Sequence, residues 1–218
     1  FHVIEYEPGP SWYTQSGQSN PLAVQTSLFT EIKDSGLRGI SSGSAAWGDY
    51  DNDGDLDVLL TGYNQYGTRV SKVFNNNNDS TFTERTEIIL PGVSESSAAW
   101  GDYDNDNDLD LILTGSSDDR LISQVYRNDG SNTFTGQTGI SLTPVNQSSV
   151  AWGDYDNDGL LDILLSGDNG NGQITKIYRN YGNGTFLNQP SIMLPGLSGG
   201  SVEFGDYDND ADLDILIS

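Results

Sequence analysis

The sequence predicts an all-β fold made of about four repeated antiparallel sheets, and three observations support this prediction. One segment recurs four times along the 218 residues, in copies that start 53, 52 and 52 residues apart. Short strand-like apolar runs follow each copy, and no stretch shows a helix of useful length. A repeat of this length is typical of a propeller blade rather than of a helical solenoid. We therefore expect a β-propeller-type array of about four four-stranded blades.

The second repeat illustrates the strands that we expect in each unit. Residues 98–103 read as a first strand, and residues 109–114 form a second, apolar strand that should be buried. A third strand covers 121–126, and a fourth starts near Phe134 and runs towards Leu142. Other repeats share this register, because a phenylalanine stands 18 residues before each recurring segment, at Phe29, Phe82, Phe134 and Phe186.

The recurring segment carries most of the chemistry of the chain. In its first copy, an aspartate occupies every second position from Asp49 to Asp57. Negative charges at this spacing repel one another unless a cation neutralises them. Hard oxygen ligands at alternate loop positions are the donors that Ca²⁺ prefers. The four copies therefore predict about four calcium sites, in loops at residues 49–57, 102–110, 154–162 and 206–214.

Variation among the four loops supports this interpretation. Counted from the first aspartate, positions 1, 3, 5 and 9 are Asp in every loop. Position 7 changes to leucine in the third loop, as expected if only its backbone carbonyl is a ligand. Position 6 should need a positive φ angle, which glycine adopts freely and alanine less easily. The residues at position 6 are Gly54, Asn107, Gly159 and Ala211.

Composition restricts the classes of partner. The formal net charge is −23, and 19 of the 32 acidic residues lie in the four loops. This balance argues against nucleic acid and against an anionic membrane surface, which both attract clustered Lys and Arg. Cysteine is absent, so metal sites are the expected substitute for cross-links. No apolar run is long enough to cross a membrane, and no signal peptide is visible in a chain that starts at Phe1. We expect a processed product or a segment of a longer protein.

The loops, followed by runs such as Val-Leu-Leu-Thr-Gly at residues 58–62, resemble the FG-GAP/VCBS repeat family, over residues 22–218. That family includes the integrin α-subunit propeller and many secreted bacterial proteins, usually with seven blades. The resemblance implies calcium in the hairpin between the first two strands of each blade, and a secreted or cell-surface location. Carried over by position, it implies side-chain ligands at Asp49, Asp51, Asp53, Asp57, Asp102, Asp104, Asp106, Asp110, Asp154, Asp156, Asp158, Asp162, Asp206, Asp208, Asp210 and Asp214. Position 7 would contribute carbonyls from Asp55, Asp108, Leu160 and Asp212.

Residues 1–21 lie outside the repeat and form a separate N-terminal segment. They are either a disordered leader or a donor strand around residues 3–6 that completes the last blade, in the same chain or in a neighbouring one. Donation between chains predicts a homo-oligomer, and donation that does not close predicts a filament.

Other candidate residues lie on the strands and connecting loops. Trp47, Trp100, Trp152 and Phe204 should pack between blades rather than stack on sugars, because they hold one fixed strand position. Loops opposite the metal hairpins are expected to form a ligand face that includes Tyr63, Tyr66, Arg69, Asp118, Asp119, Arg120, Asp168 and Asn169. Glycosylation sequons begin at Asn78, Asn146 and Asn183.

Binding or assembly is the function that these features favour. We expect an adhesion or surface-structural protein whose partner is another protein or a copy of itself. A carbohydrate-binding lectin is the alternative, and a non-catalytic module of a secreted polysaccharide-degrading enzyme is the third reading. We expect no enzymatic activity, because the only histidine is His2 and the paired acids are assigned to metal.

Overall fold

The computed structural model describes residues 3–6 and 29–218, and all regular structure in these residues is β. Sixteen strands form three four-stranded and two two-stranded sheets, and every pairing is antiparallel. Over this part of the chain, no helix has the length and apolar character that crossing a membrane requires. The all-β prediction is therefore confirmed.

The strands follow one another in a regular order. The N-terminal sheet pairs β1 (Val3–Tyr6) with β2 (Phe29–Ile32). Sheet I contains β3 (Ala45–Gly48), β4 (Asp57–Tyr63), β5 (Arg69–Asn76) and β6 (Phe82–Glu84). Sheet II contains β7 (Ser94–Gly101), β8 (Asp110–Ser116), β9 (Leu121–Asn128) and β10 (Phe134–Gly136). Sheet III contains β11 (Asn146–Gly153), β12 (Asp162–Asp168), β13 (Gln173–Asn180) and β14 (Phe186–Asn188). Sheet IV pairs β15 (Val202–Gly205) with β16 (Asp214–Ile217).

Each four-stranded sheet is a meander in which sequential strands are neighbours. The second strand lies inside the sheet and is apolar, since both of its faces are covered. In β8, Leu111, Ile112 and Leu113 are fully buried, as the sequence predicts. The register also repeats, because the phenylalanine that begins each fourth strand pairs with the asparagine that ends the third, as Phe134 does with Asn128. β1 and β2 pair in the corresponding register, Tyr6 with Phe29.

Most of the apolar core lies between consecutive sheets, and one further cluster joins sheet I to the segment that precedes it, through Leu37 and Ile40. One cluster joins residues of sheets I and II, such as Leu59 and Leu111, and a second joins sheets II and III, such as Ile112 and Ile163. A third cluster joins Leu164 of sheet III to Val202 of sheet IV. Each sheet is therefore stabilised by burial against the next one along the chain.

One strand prediction is wrong. The fourth strand does not run from Phe134 towards Leu142, because β10 ends at Gly136. The Gln137 N–H donates to the Val125 carbonyl and the Ile140 N–H to the Gln137 carbonyl, so the backbone turns away from the sheet. Ile140 and Leu142 are instead buried in the core cluster that joins sheets II and III.

The last repeat has two strands, as expected from a sequence that stops at Ser218, just after the second strand of that repeat. In the described residues, sheet IV contains two strands, so the expected set of four four-stranded sheets is present as three. The predicted donor segment is a strand at Val3–Tyr6, and it pairs with Phe29–Ile32 of the same chain. The rest of the predicted N-terminal segment, residues 1–2 and 7–21, lies outside the described residues.

Candidate metal centre

The four acidic loops are the hairpins between the first and second strands of sheets I to IV. The first loop begins just after β3 and ends on the first residue of β4, Asp57, and the other three occupy the same place in their sheets. Asp110, Asp162 and Asp214 are likewise the first residues of β8, β12 and β16. The position 9 aspartate is thus held by the sheet, whereas positions 1 to 8 form the loop.

The aspartate at position 1 folds each loop through its own carboxylate. In the first loop, Asp49 Oδ1 accepts a hydrogen bond from the Asp53 N–H at 3.0 Å, and Asp49 Oδ2 accepts one from the Gly54 N–H at 3.1 Å. The other three loops repeat both bonds at Asp102, Asp154 and Asp206. These bonds curl the chain so that the following carboxylates turn towards one point.

The aspartate at position 9 ties the loop to the third strand of its sheet. Asp110 is fully buried; its Oδ1 accepts the Asn128 N–H at 2.8 Å, and its Oδ2 accepts the Tyr103 N–H at 3.1 Å. Asp57 and Asp162 are buried and bonded in the same way. Asp214 is only half-buried and accepts the Tyr207 N–H.

Three carboxylates of each loop converge so closely that one oxygen from each lies within 4.8 Å of the others. The sets are Asp49, Asp51, Asp53; Asp102, Asp104, Asp110; Asp154, Asp156, Asp162; and Asp206, Asp208, Asp210. The structure therefore brings together positions 1 and 3 in every loop, joined by position 5 or position 9. The remaining predicted side-chain ligands, Asp57, Asp106, Asp158 and Asp214, belong to the same loops but lie outside these sets, as do the position 7 residues Asp55, Asp108, Leu160 and Asp212.

The turn in each loop uses positive φ angles at two positions. Position 6 has φ between 73° and 92° in all four loops, as expected, and Ala211 adopts 73° despite its Cβ. Position 4 also has positive φ, between 57° and 61°, and is asparagine in every loop: Asn52, Asn105, Asn157 and Asn209. Asparagine tolerates this region better than most residues. Position 4 is not among the predicted site residues, although asparagine occupies it in all four copies of the sequence.

Burial and mutual repulsion disfavour the ionised carboxylates. Burial raises the pKa of Asp110 to about 7 and that of Asp162 to about 6, against the partial compensation of backbone hydrogen bonds. The pKa values of Asp57, Asp51 and Asp104 are raised as well, first by burial and then by neighbouring aspartates. A cation in the loop would remove this penalty, because an opposite charge favours the ionised form.

The donor chemistry fits a hard divalent cation. All converging atoms are carboxylate oxygens, and in the described residues no His belongs to any of the sets. In the third loop, Asp156 Oδ1 is buried and has no hydrogen-bond partner. Anionic oxygens in flexible loops are ligands of Ca²⁺ rather than of the softer transition metals. Each repeat therefore contains aspartates that could hold a metal ion.

Side-chain amides connect each loop to the loop of the following repeat. The Asn52 amide donates to the Asn107 carbonyl at 3.2 Å and to Asp108 Oδ1 at 2.8 Å. Asn157 makes the same pair of bonds to Ala211 and Asp212. Asn105 makes only the carbonyl bond, to Gly159 at 3.0 Å, because position 7 of the third loop is a leucine. These position 4 bonds make one connected row of the four loops.

Aromatic rings form a second connection between repeats. Tyr50 of the first loop stacks on Trp100 with ring centres 6.0 Å apart, and Tyr103 stacks on Trp152 at 6.2 Å. Phe204 and Tyr155 both pack against the buried cluster between sheets III and IV. These three rings lie between sheets as predicted. Trp47 differs, since it is 54% exposed and contacts Phe82 of its own sheet.

The predicted ligand face is only partly assembled. The guanidinium of Arg69 lies 5.1 Å from the centre of the Tyr63 ring and pairs with Asp118 at 2.7 Å, so these three residues meet. Tyr66 is 81% exposed beside a cavity of about 390 Å³ that Arg38, Asn64 and Gln65 also line. Asp119, Asp168 and Asn169 accept hydrogen bonds within their own turns, and Arg120 lines a separate cavity.

The three sequons differ in environment. Asn78 and Asn183 are exposed and lie in turns with positive φ. Asn146 is the first residue of β11, and its amide donates to Glu95 Oε2 at 2.7 Å.

Comparison with known proteins identifies the repeats. A protein-family model described as FG-GAP-like repeat matches residues 49–113, 102–165 and 154–217, three consecutive copies that overlap and together cover more than half of the chain. A search of the curated proteins gives no match to the chain. Each matched segment starts at a position 1 aspartate, so each match begins at an acidic loop and includes the strands that follow it.

Proposed function

Because the chain belongs to the FG-GAP-like repeat family, we propose that it is an extracellular, calcium-stabilised protein of the β-propeller type that acts in adhesion or surface assembly. FG-GAP repeats are typical of extracellular proteins. Calcium outside cells is millimolar, so sites with dissociation constants of about 10⁻⁴–10⁻³ M suffice there. The observation that carries the proposal is the convergence of three carboxylates within 4.8 Å in each of four loops.

Calcium has a structural role in this proposal. The ion would neutralise the carboxylates at positions 1, 3, 5 and 9 and accept the carbonyl of position 7 as a further ligand. Because position 9 lies on the second strand and also bonds the third, a filled loop would fix both strands of its sheet. The role is one of binding and support, not catalysis.

Calcium titration of the whole chain tests the proposal. Isothermal calorimetry should show binding of about four ions, and Ca²⁺ should raise the melting temperature measured by circular dichroism. Asp102→Asn together with Asp104→Asn should abolish binding in one loop, whereas Asp118→Asn, outside the loops, should leave the stoichiometry unchanged. Absence of heat and of any thermal shift in millimolar Ca²⁺ would refute the proposal.

Strand exchange between copies is the route of assembly that we propose. Among the described residues, β16 pairs only with β15, whereas β4, β8 and β12 each pair with a third strand as well. An unpaired strand edge is a template for another strand. The β1–β2 pair has the same register as the third and fourth strands of the other sheets. If a neighbouring copy supplied this pair, it would complete sheet IV.

Removal of residues 1–20 tests strand exchange because it eliminates β1. The truncated chain should be monomeric by light scattering under conditions where the whole chain forms oligomers. Removal of the exposed turn residues Tyr66 and Gly67 is a control that should leave the oligomers intact. Oligomers of unchanged size after the N-terminal truncation would contradict strand exchange without bearing on calcium binding.

Carbohydrate binding is the second candidate, and the surroundings of Tyr66 favour it. An exposed aromatic ring beside side-chain amides and Arg38 is suited to sugar hydroxyls and to a sugar ring face. A glycan array should then show binding that Tyr66→Ala abolishes and that Tyr181→Ala, an exposed tyrosine elsewhere, preserves. An array without binding would leave adhesion through protein partners.

A further inference from the structure

The third acidic loop differs from the other loops in the residue that faces it from the third strand. This residue is the next to last of β5, β9 and β13, so the equivalent residues are Asn75, Arg127 and Arg179. Asn75 is neutral and donates to Asp51 at 3.1 Å and to Asp57 at 3.0 Å. The two arginines have the same side chain, but the structure directs them to different partners.

Arg179 lies on the acidic loop itself. Its Nε is 2.7 Å from Asp156 Oδ2, and its Nη2 is 2.9 Å from Asp158 Oδ2. These carboxylates stand at positions 3 and 5, where the proposed calcium ligands are. Arg127 instead donates through Nε to Asp129 Oδ1 at 2.7 Å, outside the second loop. Only the third loop therefore has an arginine bound across two of its aspartates in the part of the chain that is described.

The residue two positions further along explains the difference. After Arg127 this residue is Asp129, which captures the guanidinium by charge and by hydrogen bonds. After Arg179 it is Tyr181, whose ring centre lies 4.9 Å from the guanidinium carbon. A ring face attracts the guanidinium without neutralising it. Arg179 is thus supported from one side by Tyr181 and remains free to pair with the loop on the other.

The third loop also carries less negative charge than the other three loops. It contains four aspartates, where each of the other loops contains five, because position 7 is Leu160. With Arg179 paired to Asp156 and Asp158, the negative charge available to an incoming cation is smaller still. The position 7 side chain is not itself a proposed ligand, but its charge and that of Arg179 both change the field at the ion, and a less negative loop should bind calcium more weakly.

We propose that Arg179 is a built-in counter-cation of the third loop, which makes this loop the weakest calcium site of the four and keeps it ordered when calcium is absent. The proposal rests on calcium binding by the other loops. Calcium enters the third loop only by displacing the guanidinium from Asp156 and Asp158. Among the described residues no arginine or lysine pairs directly with the aspartates of the other loops, and Arg85 near the first loop donates to Asn75 instead, so these loops depend more on the metal.

Calcium titration of the whole chain with position-matched variants tests the proposal. Wild-type protein should show one site weaker than the rest, and Arg179→Asn, which copies Asn75 of sheet I, should tighten that site by about tenfold. The matched control is Arg127→Asn, which should change no site by more than about twofold, because Arg127 pairs outside its loop. Asp154→Asn identifies which loop is the weak site. It should eliminate the weak site and leave the other three sites unchanged.

A second pair of variants leaves both arginines in place. Tyr181→Asp should draw Arg179 away from the loop, as Asp129 draws Arg127, and should tighten the weak site. Asn77→Asp adds the same charge at the equivalent position of sheet I, where the third-strand residue is Asn75 and the nearby Arg85 donates to Asn75 rather than to the loop aspartates. It measures the effect of the added charge without an arginine paired to the loop. The reciprocal change, Asp129→Tyr, should weaken the second site.

The outcomes separate this inference from the proposed function. Four sites of equal affinity, or a weak site that survives Asp154→Asn, would overturn the role of Arg179 and leave calcium binding intact. An equal gain from Tyr181→Asp and Asn77→Asp would also overturn it. If the chain binds no calcium at all, the proposed function is refuted, and the role proposed for Arg179 falls with it.

Discussion

Glycine before the acidic loop is required because a ring of the following repeat lies against it. A Cβ on Gly101 would lie 2.7 Å from Cδ1 of Trp152, and one on Gly48 would lie 2.6 Å from the same atom of Trp100. These rings are the ones that stack on the loop tyrosines. The close approach of backbone and indole therefore allows the stacking that joins consecutive repeats.

Gly101→Ala should destabilise the protein by about 1–3 kcal/mol, because the added methyl group overpacks this contact. Gly205→Ala is the matched control: it holds the equivalent position in sheet IV, and an added Cβ meets nothing within 4 Å. Its effect should stay within about 0.5 kcal/mol. Urea denaturation in millimolar calcium measures both, and equal losses would show that the ring contact is not the cause.

Protons should replace the missing cation in the metal-free protein. Burial raises the pKa of Asp110 to about 7 in the folded state, from an ordinary value of 3.8. Between these values the folded chain binds more protons than the unfolded chain, so stability is present at low pH and is lost as the pH rises. Calcium-free protein should therefore lose stability as the pH rises from about 4 to about 7. Asp110→Asn should flatten this dependence in urea denaturation, and a stability that rises with pH in both proteins would contradict it.

At the scale of strands and loops, the asparagine that ends the third strand joins two repeats. The Asn128 amide donates to the Tyr50 carbonyl of the preceding loop at 2.8 Å and to the Leu109 carbonyl of its own at 3.3 Å. Asn180 does the same with Tyr103 and Leu161. The Asn76 side-chain amide donates to the carbonyl of its own loop, at Leu56, and in the described residues it has no bond to a preceding loop. The bond to the preceding loop is therefore the difference between these otherwise equivalent residues.

Asn128→Ala should cost about 1–3 kcal/mol, since it leaves buried carbonyls without a donor. Asn76→Ala removes the corresponding side chain without a contact between repeats, and it should cost less. Thermal melts in calcium give the two stabilities. Hydrogen exchange near Tyr50 should increase in the first variant alone, and unchanged protection there would argue against a link between repeats.

Much of this element-level structure could be predicted from sequence. The alternating aspartates indicated the loops, and the apolar run after each loop indicated the buried second strand. The short fourth strand was missed because Ile140 and Leu142 look like strand residues, yet they are buried against the next repeat. Arg179 was missed because its direction depends on Tyr181, and only the structure shows which of two partners an arginine contacts.

For the whole molecule, stability should depend on calcium. Four loops with net negative charge repel internally, and each ion that binds only the folded state adds stability by mass action. At a free calcium concentration one hundred times the dissociation constant, each site should add about 2.7 kcal/mol. Addition of a chelator should therefore lower the melting temperature well beyond the effect of an equal change in ionic strength, which serves as the control. A melting temperature insensitive to the chelator would contradict this dependence.

The row of position 4 asparagines has a consequence for how such a chain changes length over evolution. Each of the first three repeats supplies one donor to the next repeat, and each of the last three supplies one acceptor to the repeat before it, as Asn52 and Asn107 show for the first two loops. Duplication or loss of a whole repeat therefore leaves every position 4 asparagine with an acceptor in the next loop. A break inside a repeat instead separates a donor from its acceptor. Gene rearrangements that conserve the 52-residue spacing between the later copies should thus be the ones that yield folded descendants.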